Sequence, residues 1–281
     1  MSLFSSNKSF QPTEIIQLVS TRDTGVGTLI VETDAGLGYL KALGNPDGPH
    51  ALVKEFIGTR LADLIGLPTF DYALIEVAEI DDLPFFGRGR AEPGPAFVTR
   101  AEKGVTWGND RRLLDKIDNI DVISGLIVID TWLRNTDRYA PAGFRVNLDN
   151  VFFSSETDDS FVSLRAMDFS HCIIYGGELT RRVKDIADVK DEDVFGLFPE
   201  FRKRINRTSI RHFASNVGKL ARTEIDDVVS LVPTQWHLDQ AVRTALVDFL
   251  VDRAAFVADT IEVRLFDPPQ LPMNLFDGGD S

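Results

Sequence analysis

The chain has 281 residues, of which 43% are hydrophobic and 26% are charged, a composition typical of a globular protein and unlike that of a disordered or fibrous one. Its 30 Lys and Arg against 43 Asp and Glu give a net charge of −13, which argues against nucleic acid as a partner bound on a broad basic surface. We predict a cytoplasmic protein with no membrane partner. The chain has one cysteine, no apolar run approaches the roughly 20 residues of a membrane helix, and the N-terminus lacks the residue order of a signal peptide.

The first hundred residues read as strands around one helix. A helix is predicted over 49–65, because Pro49 suits a first helical position, apolar residues recur at a period of about 3.6, and Gly66 followed by Pro68 ends the pattern. Short segments rich in β-branched and apolar residues predict the strands. These segments are 15–19, 28–33, 38–42, 72–77 and 96–100.

From about residue 110 the pattern changes to long helices. Helices are predicted over 119–133, 200–206, 209–220, 223–231 and 237–261, and two short strands are predicted over 150–153 and 161–166. The fold class is therefore α+β with two lobes. We expect a small β-rich N-lobe over 1–100, a helical C-lobe over 101–265 and a flexible C-terminal tail over 266–281. A cleft between two lobes is a frequent ligand site.

Three polar residues stand at the ends of predicted elements in the C-lobe. Asp137 follows a strongly apolar helix, Asn150 leads into an apolar strand, and Asp168 leaves another. Phosphoryl transfer needs one carboxylate to orient the attacking hydroxyl, and an amide oxygen with a second carboxylate to hold Mg²⁺. Taken singly, Asp137 is equally well interpreted as a loop cap or a surface ion pair. The order of the three favours phosphoryl transfer.

The N-lobe offers residues that complement these. Lys41 lies on the third strand, on the face opposite Leu40, and Glu55 lies in the following helix. The ordinary interpretation of both is a solvated charge, but a Lys that contacts ATP phosphates needs a partner to aim it. A glycine loop upstream, residues 24–28, has the backbone freedom to approach phosphate; a plain hairpin turn is the alternative. The loop reads Thr24, Gly25, Val26, Gly27 and Thr28.

Taken together, these segments resemble the HipA-like kinases, a bacterial branch of the protein-kinase-like fold that is related to the phosphatidylinositol 3/4-kinases. The resemblance covers roughly residues 15–262. It is carried by Gly38-Tyr39-Leu40-Lys41, by the segment 55–68, by Asp130-Thr131-Trp132-Leu133-Arg134-Asn135-Thr136-Asp137-Arg138, by Met167-Asp168-Phe169-Ser170, and by Pro233-Thr234-Gln235-Trp236. It implies a bilobal protein-kinase-like fold and a Ser/Thr protein kinase that uses ATP and Mg²⁺.

The resemblance also implies a role for each candidate residue. Lys41 would contact the nucleotide phosphates and Glu55 would pair with it. Asp137 would be the catalytic base. Asp168 would be the principal Mg²⁺ ligand and Asn150 the second. The strand 96–100, with Phe97, Val98 and Thr99, would be the hinge that binds adenine through its backbone, and the glycine loop would cover the phosphates and could itself accept a phosphoryl group. His171 and Cys172 are interpreted as packing behind the site.

One segment departs from the family pattern. The family usually has a His soon after Asp-Arg, whereas Tyr139 stands here and residues 140–146 lengthen the loop. Asn147 therefore competes with Asn150 as the second metal ligand. The same departure leaves a pseudokinase or nucleotide-binding interaction module as the alternative function. A lipid kinase ranks lower, because a chain of this charge is repelled by anionic membranes.

The C-terminal tail carries a second, weaker motif. The segment from Gln270 to Phe276 resembles the motif that binds the bacterial sliding clamp, in which a Gln and spaced apolar residues fill a pocket. Docking of these apolar residues on their own domain is the other interpretation. The protein substrate itself cannot be named from the sequence.

Overall fold

The computed structural model describes residues 4–5, 9–87, 89–108, 110–156, 160–174 and 177–267. Its N-lobe is built on an antiparallel sheet. The strands are β1 (Phe4–Ser5), β2 (Ile15–Thr21), β3 (Leu29–Thr33), β4 (Gly36–Lys41), β5 (Tyr72–Val77) and β6 (Gly94–Arg100). Their order in the sheet is β1-β5-β6-β4-β3-β2. The five predicted strands are present, and the two-residue β1 adds an edge that the sequence pattern did not indicate.

The N-lobe helix α1 (Pro49–Leu64) links the two lobes. It begins at Pro49 as predicted, but it is buried on nearly every side because it lies between the sheet and the C-lobe. Phe56 packs edge-on against Phe97 of the sheet and against Trp236 of the C-lobe, at ring-centroid distances of 6.2 and 6.1 Å. The helix belongs to the same apolar cluster as the C-lobe helices. Residues on α1 therefore hold a fixed position relative to both lobes.

The C-lobe is mainly helical. Its helices are α2 (Arg111–Leu114), α3 (Asp121–Leu133), α4 (Ile186–Val189), α5 (Arg207–Lys219), α6 (Arg222–Ser230) and α7 (Gln240–Phe266), and they pack around the buried α3. A three-stranded antiparallel sheet faces the N-lobe. It comprises β7 (Gly104–Thr106), β8 (Phe152–Ser154) and β9 (Ser163–Arg165), in that order. Within the described ranges, no helix has the length and apolarity needed to cross a bilayer.

Several C-lobe boundaries differ from the prediction. The expected helix over 200–206 is only a 3-10 turn, Phe201–Lys203, because Asn206 is extended and its side chain caps the next helix by accepting the Ser209 amide. The last helix starts at Gln240, where the Asp239 side chain caps it, and runs 27 residues. The strand β7 was not predicted because three residues show no alternation. Residues 268–281, with the clamp-binding motif, lie outside the described residues, so that prediction stays a prediction.

Candidate active site

The candidate site is a cleft between the N-lobe sheet and the three-stranded sheet. Its cavity of about 540 Å³ is in the range that holds a small-molecule cofactor. Side chains from both lobes line it. Those named in the sequence prediction are Thr24, Thr28, Lys41, Glu55, Phe97, Thr99, Asn150 and Asp168. Residues that are far apart in the chain therefore share one cavity.

Lys41 is held between two carboxylates. Its Nζ donates to Glu55 Oε2 at 2.9 Å and to Asp168 Oδ1 at 3.3 Å, and Glu55 Oε2 also accepts the Phe169 N–H at 3.0 Å. The predicted contact between Lys41 and Glu55 is therefore present. The side chains of Lys41 and Glu55 are 12% and 4% exposed, so neither is a solvated surface charge. Strand β4 points Lys41 into the cleft because its neighbour Leu40 is buried on the opposite face.

The charges of this cluster shift one another's protonation. Burial acts against the charged Lys41, but the attraction of Asp168 and Glu55 outweighs it and holds the pKa of Lys41 above its usual range. Burial also opposes the charged form of Asp168, yet Lys41 and the Ser170 hydroxyl hold the pKa of that carboxyl well below its usual range. Burial raises the pKa of Glu55, and Lys41 opposes this rise. Lys41 and Asp168 are therefore charged near neutral pH.

Asp137 lies in the loop that follows α3. The helix ends at Leu133, and Arg134 turns the chain with a left-handed φ of 51°. Asp137 is 5% exposed; its amide donates to Asn135 Oδ1 at 3.2 Å, and its Oδ2 accepts from Asn150 Nδ2 at 3.0 Å. The predicted catalytic carboxylate is therefore held in place and adjoins the predicted metal ligand Asn150.

Asp168 and Asn150 supply oxygen donors of the kind that Mg²⁺ binds. Asp168 follows β9 and has a φ of 56°, a conformation that costs energy for a non-glycine residue and is found at functional sites. Asn150 turns its amide nitrogen to Asp137, so its oxygen points away from that carboxylate. Within the part of the chain that the structure describes, no three His, Cys, Asp or Glu side chains are grouped to hold a metal. These two residues fit a magnesium ion that also takes phosphate oxygens and water as ligands.

The structure separates the two asparagine candidates. Asn150 ends a 3-10 turn and lines the cavity, although β8 begins two residues later than the sequence indicates. Asn147 instead caps that turn, its Oδ1 accepting the Asp149 amide at 3.2 Å. Asn147 is not among the residues that line the cavity. The geometry therefore favours Asn150 over Asn147 as the second metal ligand.

The predicted hinge needs correction. Strand β6 lies inside the sheet, and Phe97, Val98 and Thr99 each face a partner on both β4 and β5. An interior strand uses its amide and carbonyl groups in the sheet, so their backbone does not bind adenine. The side chains of Phe97 and Thr99 line the cavity, whereas Val98 packs in the N-lobe core. The segment 101–103 follows β6 and joins the two sheets, and the next residues, Gly104–Thr106 of β7, line the cavity.

The glycine loop connects β2 and β3 at the cavity. Three of its amides are used within the loop: Thr24 N donates to Arg22 O, Gly27 N to Thr24 O, and Thr28 N to Thr24 Oγ1. A Cβ on Gly25 would lie 2.8 Å from Asp47 Oδ2, which shows how closely the loop approaches the rest of the site. In this conformation the loop can offer phosphate fewer amides than the sequence prediction assumed.

The loop that departs from the family pattern folds as a hairpin. Tyr139 and Val146 form an antiparallel bridge, and Ala140 N donates to Arg145 O at 2.9 Å. The hairpin returns the Arg145 side chain to the site, where Nε lies 2.7 Å from Asp137 Oδ1. Sequence reasoning missed Arg145 because only the closure of the hairpin brings it to Asp137.

His171 is the second residue that was missed. Its Nδ1 lies 3.5 Å from Asp137 Oδ2 and 3.1 Å from Ser170 Oγ, and its Nε2 lies 3.3 Å from Asp47 Oδ2. The interpretation of His171 as packing behind the site is therefore wrong, because its ring lies between the carboxylates of Asp137 and Asp47. Its position three residues after Asp168 was the available signal. Cys172 is fully buried, as expected of a packing residue.

Two lobes, and a cleft between them in which a lysine is paired with two carboxylates, are features of the protein-kinase-like folds. A family model described as HipA-like kinase matches residues 33–264, and the chain belongs to this family.

Solved structures support the fold. The chain is similar to the Helicobacter pylori proinflammatory kinase CtkA, with a TM-score of 0.56 and 13% identity over 90% of this chain and 98% of that one. The Mycobacterium tuberculosis PknI kinase domain matches with a TM-score of 0.25 and 15% identity over 94% of this chain and 100% of that one, a likeness too low to argue from. Among curated proteins, no sequence matches the chain.

Proposed function

We propose that the chain transfers the γ-phosphoryl group of ATP, with Mg²⁺, to a Ser or Thr hydroxyl of a protein. The observation that carries this proposal is that Lys41 contacts Asp168 at 3.3 Å in the cleft, and that Asn150, which lines the same cleft, contacts Asp137 behind it at 3.0 Å. Phosphoryl transfer is catalysed almost entirely by positioning and by electrostatic stabilisation. A cleft that brings a cation, two carboxylates and an amide together has the parts for both.

Lys41 is suited to bind the phosphates of the nucleotide. Its ammonium stays charged because two carboxylates surround it, and strand β4 and helix α1 hold the pair from opposite sides. Asp168 and Asn150 would hold Mg²⁺, which neutralises negative charge on the phosphates when it is bound. The side chains of Phe97 and Thr99 on the cavity wall would face the base and sugar of the nucleotide.

Asp137 is suited to orient the acceptor hydroxyl. In the transfer, the hydroxyl oxygen forms a bond to the γ-phosphorus, the bond from that phosphorus to the β,γ-bridging oxygen breaks, and the hydroxyl proton passes to the Asp137 carboxylate. The hydrogen bond from Asn150 fixes the rotation of that carboxylate. Thr24 and Thr28 line the cavity together with Lys41 and Asp168, so the hydroxyls of the glycine loop are candidate acceptors in self-phosphorylation.

The test is transfer of γ-labelled phosphate in the presence of Mg²⁺, with a bacterial lysate as the source of acceptor proteins. We expect labelled protein with the wild type, and a loss of several orders of magnitude with Asp137→Asn. The variant should keep nucleotide-dependent thermal stabilisation, because it retains Lys41, Asn150 and Asp168. Equal labelling by both proteins would reject the catalytic assignment of Asp137.

A pseudokinase that binds nucleotide and recruits a partner is the second candidate. The observation that favours it is the ion pair of Arg145 with Asp137 Oδ1, which occupies an oxygen that an acceptor hydroxyl would need. Thermal stabilisation by ATP and Mg²⁺ without any transfer of label, in wild type and Asp137→Asn alike, would support this candidate over the kinase.

A further inference from the structure

A buried ion pair lies directly beneath the site. Arg138 Nε is 2.7 Å from Asp130 Oδ2, and both side chains are fully buried. Asp130 belongs to helix α3, whereas Arg138 follows the candidate base Asp137 in the loop. A buried pair of this kind is poor evidence for stability, because removing two charges from water costs about as much as their attraction returns. Its geometry points to another role.

The guanidinium of Arg138 reaches the other segments of the site. Nη1 donates to the backbone carbonyl of Asn150, and Nη2 donates to the carbonyl of Met167 at 2.6 Å. Asn150 and Asp168, the residue after Met167, are the two candidate metal ligands. One planar side chain therefore connects the loop of the candidate base to the backbone at both metal ligands.

Asn135 extends the same network. Its Nδ2 donates to Asp130 Oδ1 at 3.0 Å and to the Asp168 carbonyl at 3.4 Å, while its Oδ1 accepts the Asp137 amide. The Asp130 carboxylate thus holds Arg138 with one oxygen and Asn135 with the other. Arg138 and Asn135 in turn contact the backbone at Asp137, at Asn150 and next to or at Asp168.

We infer that Arg138, fixed by Asp130, is a positioning residue that sets the spacing between the candidate base Asp137 and the metal ligands Asn150 and Asp168. This inference rests on the proposed function. Arginine suits the task because its rigid fork serves several acceptors at once, which the single ammonium of lysine cannot do. Because its side chain is fully buried, Arg138 acts through the backbone that it holds and not by direct contact with a ligand in the cleft.

The test compares Arg138→Lys with a matched control. Lysine keeps the charge beside Asp130, but it cannot also hold both carbonyls. Arg253 is the control, because it is also fully buried and its partners among the described residues are backbone carbonyls away from the cleft, including those of Thr131 and Asp188. Both substitutions should lower the melting temperature, so stability alone does not separate the two roles.

We expect Arg138→Lys to lower kcat on the order of 100-fold, as misplacement of reacting groups by about 1 Å does, with KM for ATP changed by less than about threefold. It should also raise the Mg²⁺ concentration that gives half-maximal thermal stabilisation by a non-hydrolysable ATP analogue. Arg253→Lys should change neither quantity. If Arg138→Lys does not fold, Asp130→Asn, which keeps the shape of the carboxylate, should shift both quantities in the same direction.

Two further outcomes have separate meanings. If Arg138→Lys is destabilised but keeps the kcat and the Mg²⁺ dependence of the wild type, like Arg253→Lys, the positioning role is wrong. If the wild type transfers no phosphate, the proposed function fails. The Mg²⁺ dependence of thermal stabilisation then still decides whether Arg138 sets the geometry of the metal ligands.

Discussion

Glu55→Gln tests the cluster that aims Lys41 into the cleft. The substitution keeps the shape of the side chain and leaves an amide oxygen to accept the Phe169 N–H, but it removes the charge 2.9 Å from Lys41 Nζ. Asp168 is then the one charged partner that remains in the cluster. We expect Lys41 to move toward that carboxylate, away from the phosphates and onto the oxygens that a metal needs.

The loss can be estimated from the ion pair between Lys41 and Glu55 that the substitution neutralises. A hydrogen bond to a charged group contributes roughly 1.5–3 kcal/mol, and each 1.36 kcal/mol corresponds to about a tenfold change in rate. We therefore expect kcat/KM for ATP to fall roughly 10- to 150-fold. The free energy of unfolding should change by only about 1 kcal/mol or less, because the repulsion between Glu55 and Asp168 is removed at the same time.

The assay is the initial rate of label transfer over a series of ATP concentrations, with thermal unfolding measured in parallel. Glu262→Gln is the matched control, since Glu262 pairs with Arg207 and Arg211 near the end of α7, and its rate should equal that of the wild type. A kcat/KM for Glu55→Gln within twofold of the wild type would show that Glu55 does not aim Lys41.

Three further predictions concern single contacts. Arg145→Ala should raise the transfer rate about two- to fivefold, because a half-exposed ion pair that covers Asp137 is worth ~0–1 kcal/mol; a loss above tenfold would mean that Arg145 takes part in the transfer. Gly58→Ala should lower the free energy of unfolding by about 1–3 kcal/mol, since its Cβ would lie 2.4 Å from Phe169 Cβ; chemical denaturation that shows no loss would contradict the packing of α1 described above. Cys172 should react with a thiol reagent only after denaturation, because it is fully buried and burial raises the pKa of its thiol; rapid labelling of the native protein would contradict that burial.

The local sequence pattern was sufficient to predict five N-lobe strands, helix α1, and the candidate site residues that lie at or just after the ends of elements. Alternation in the strands and the ends of α1 predict the order of the N-lobe elements. Lys41 ends β4, whereas Asp137 and Asp168 lie in the loops that follow α3 and β9. The hinge was misassigned because alternation shows which face of a strand is buried, but not that strands flank it on both edges. Arg145 and His171 were missed because their contacts are made by loops, which have no periodicity to read.

The claim that the cleft binds ATP with a metal ion is tested most directly by a crystal structure with a non-hydrolysable ATP analogue and Mn²⁺, in which the metal is located by its anomalous scattering. We expect manganese bound by Asp168 and Asn150, with Lys41 in contact with the phosphates and the adenine beside Gly104–Thr106 of β7, which line the cavity. A nucleotide outside the cleft, or a metal held by other side chains, would contradict this expectation.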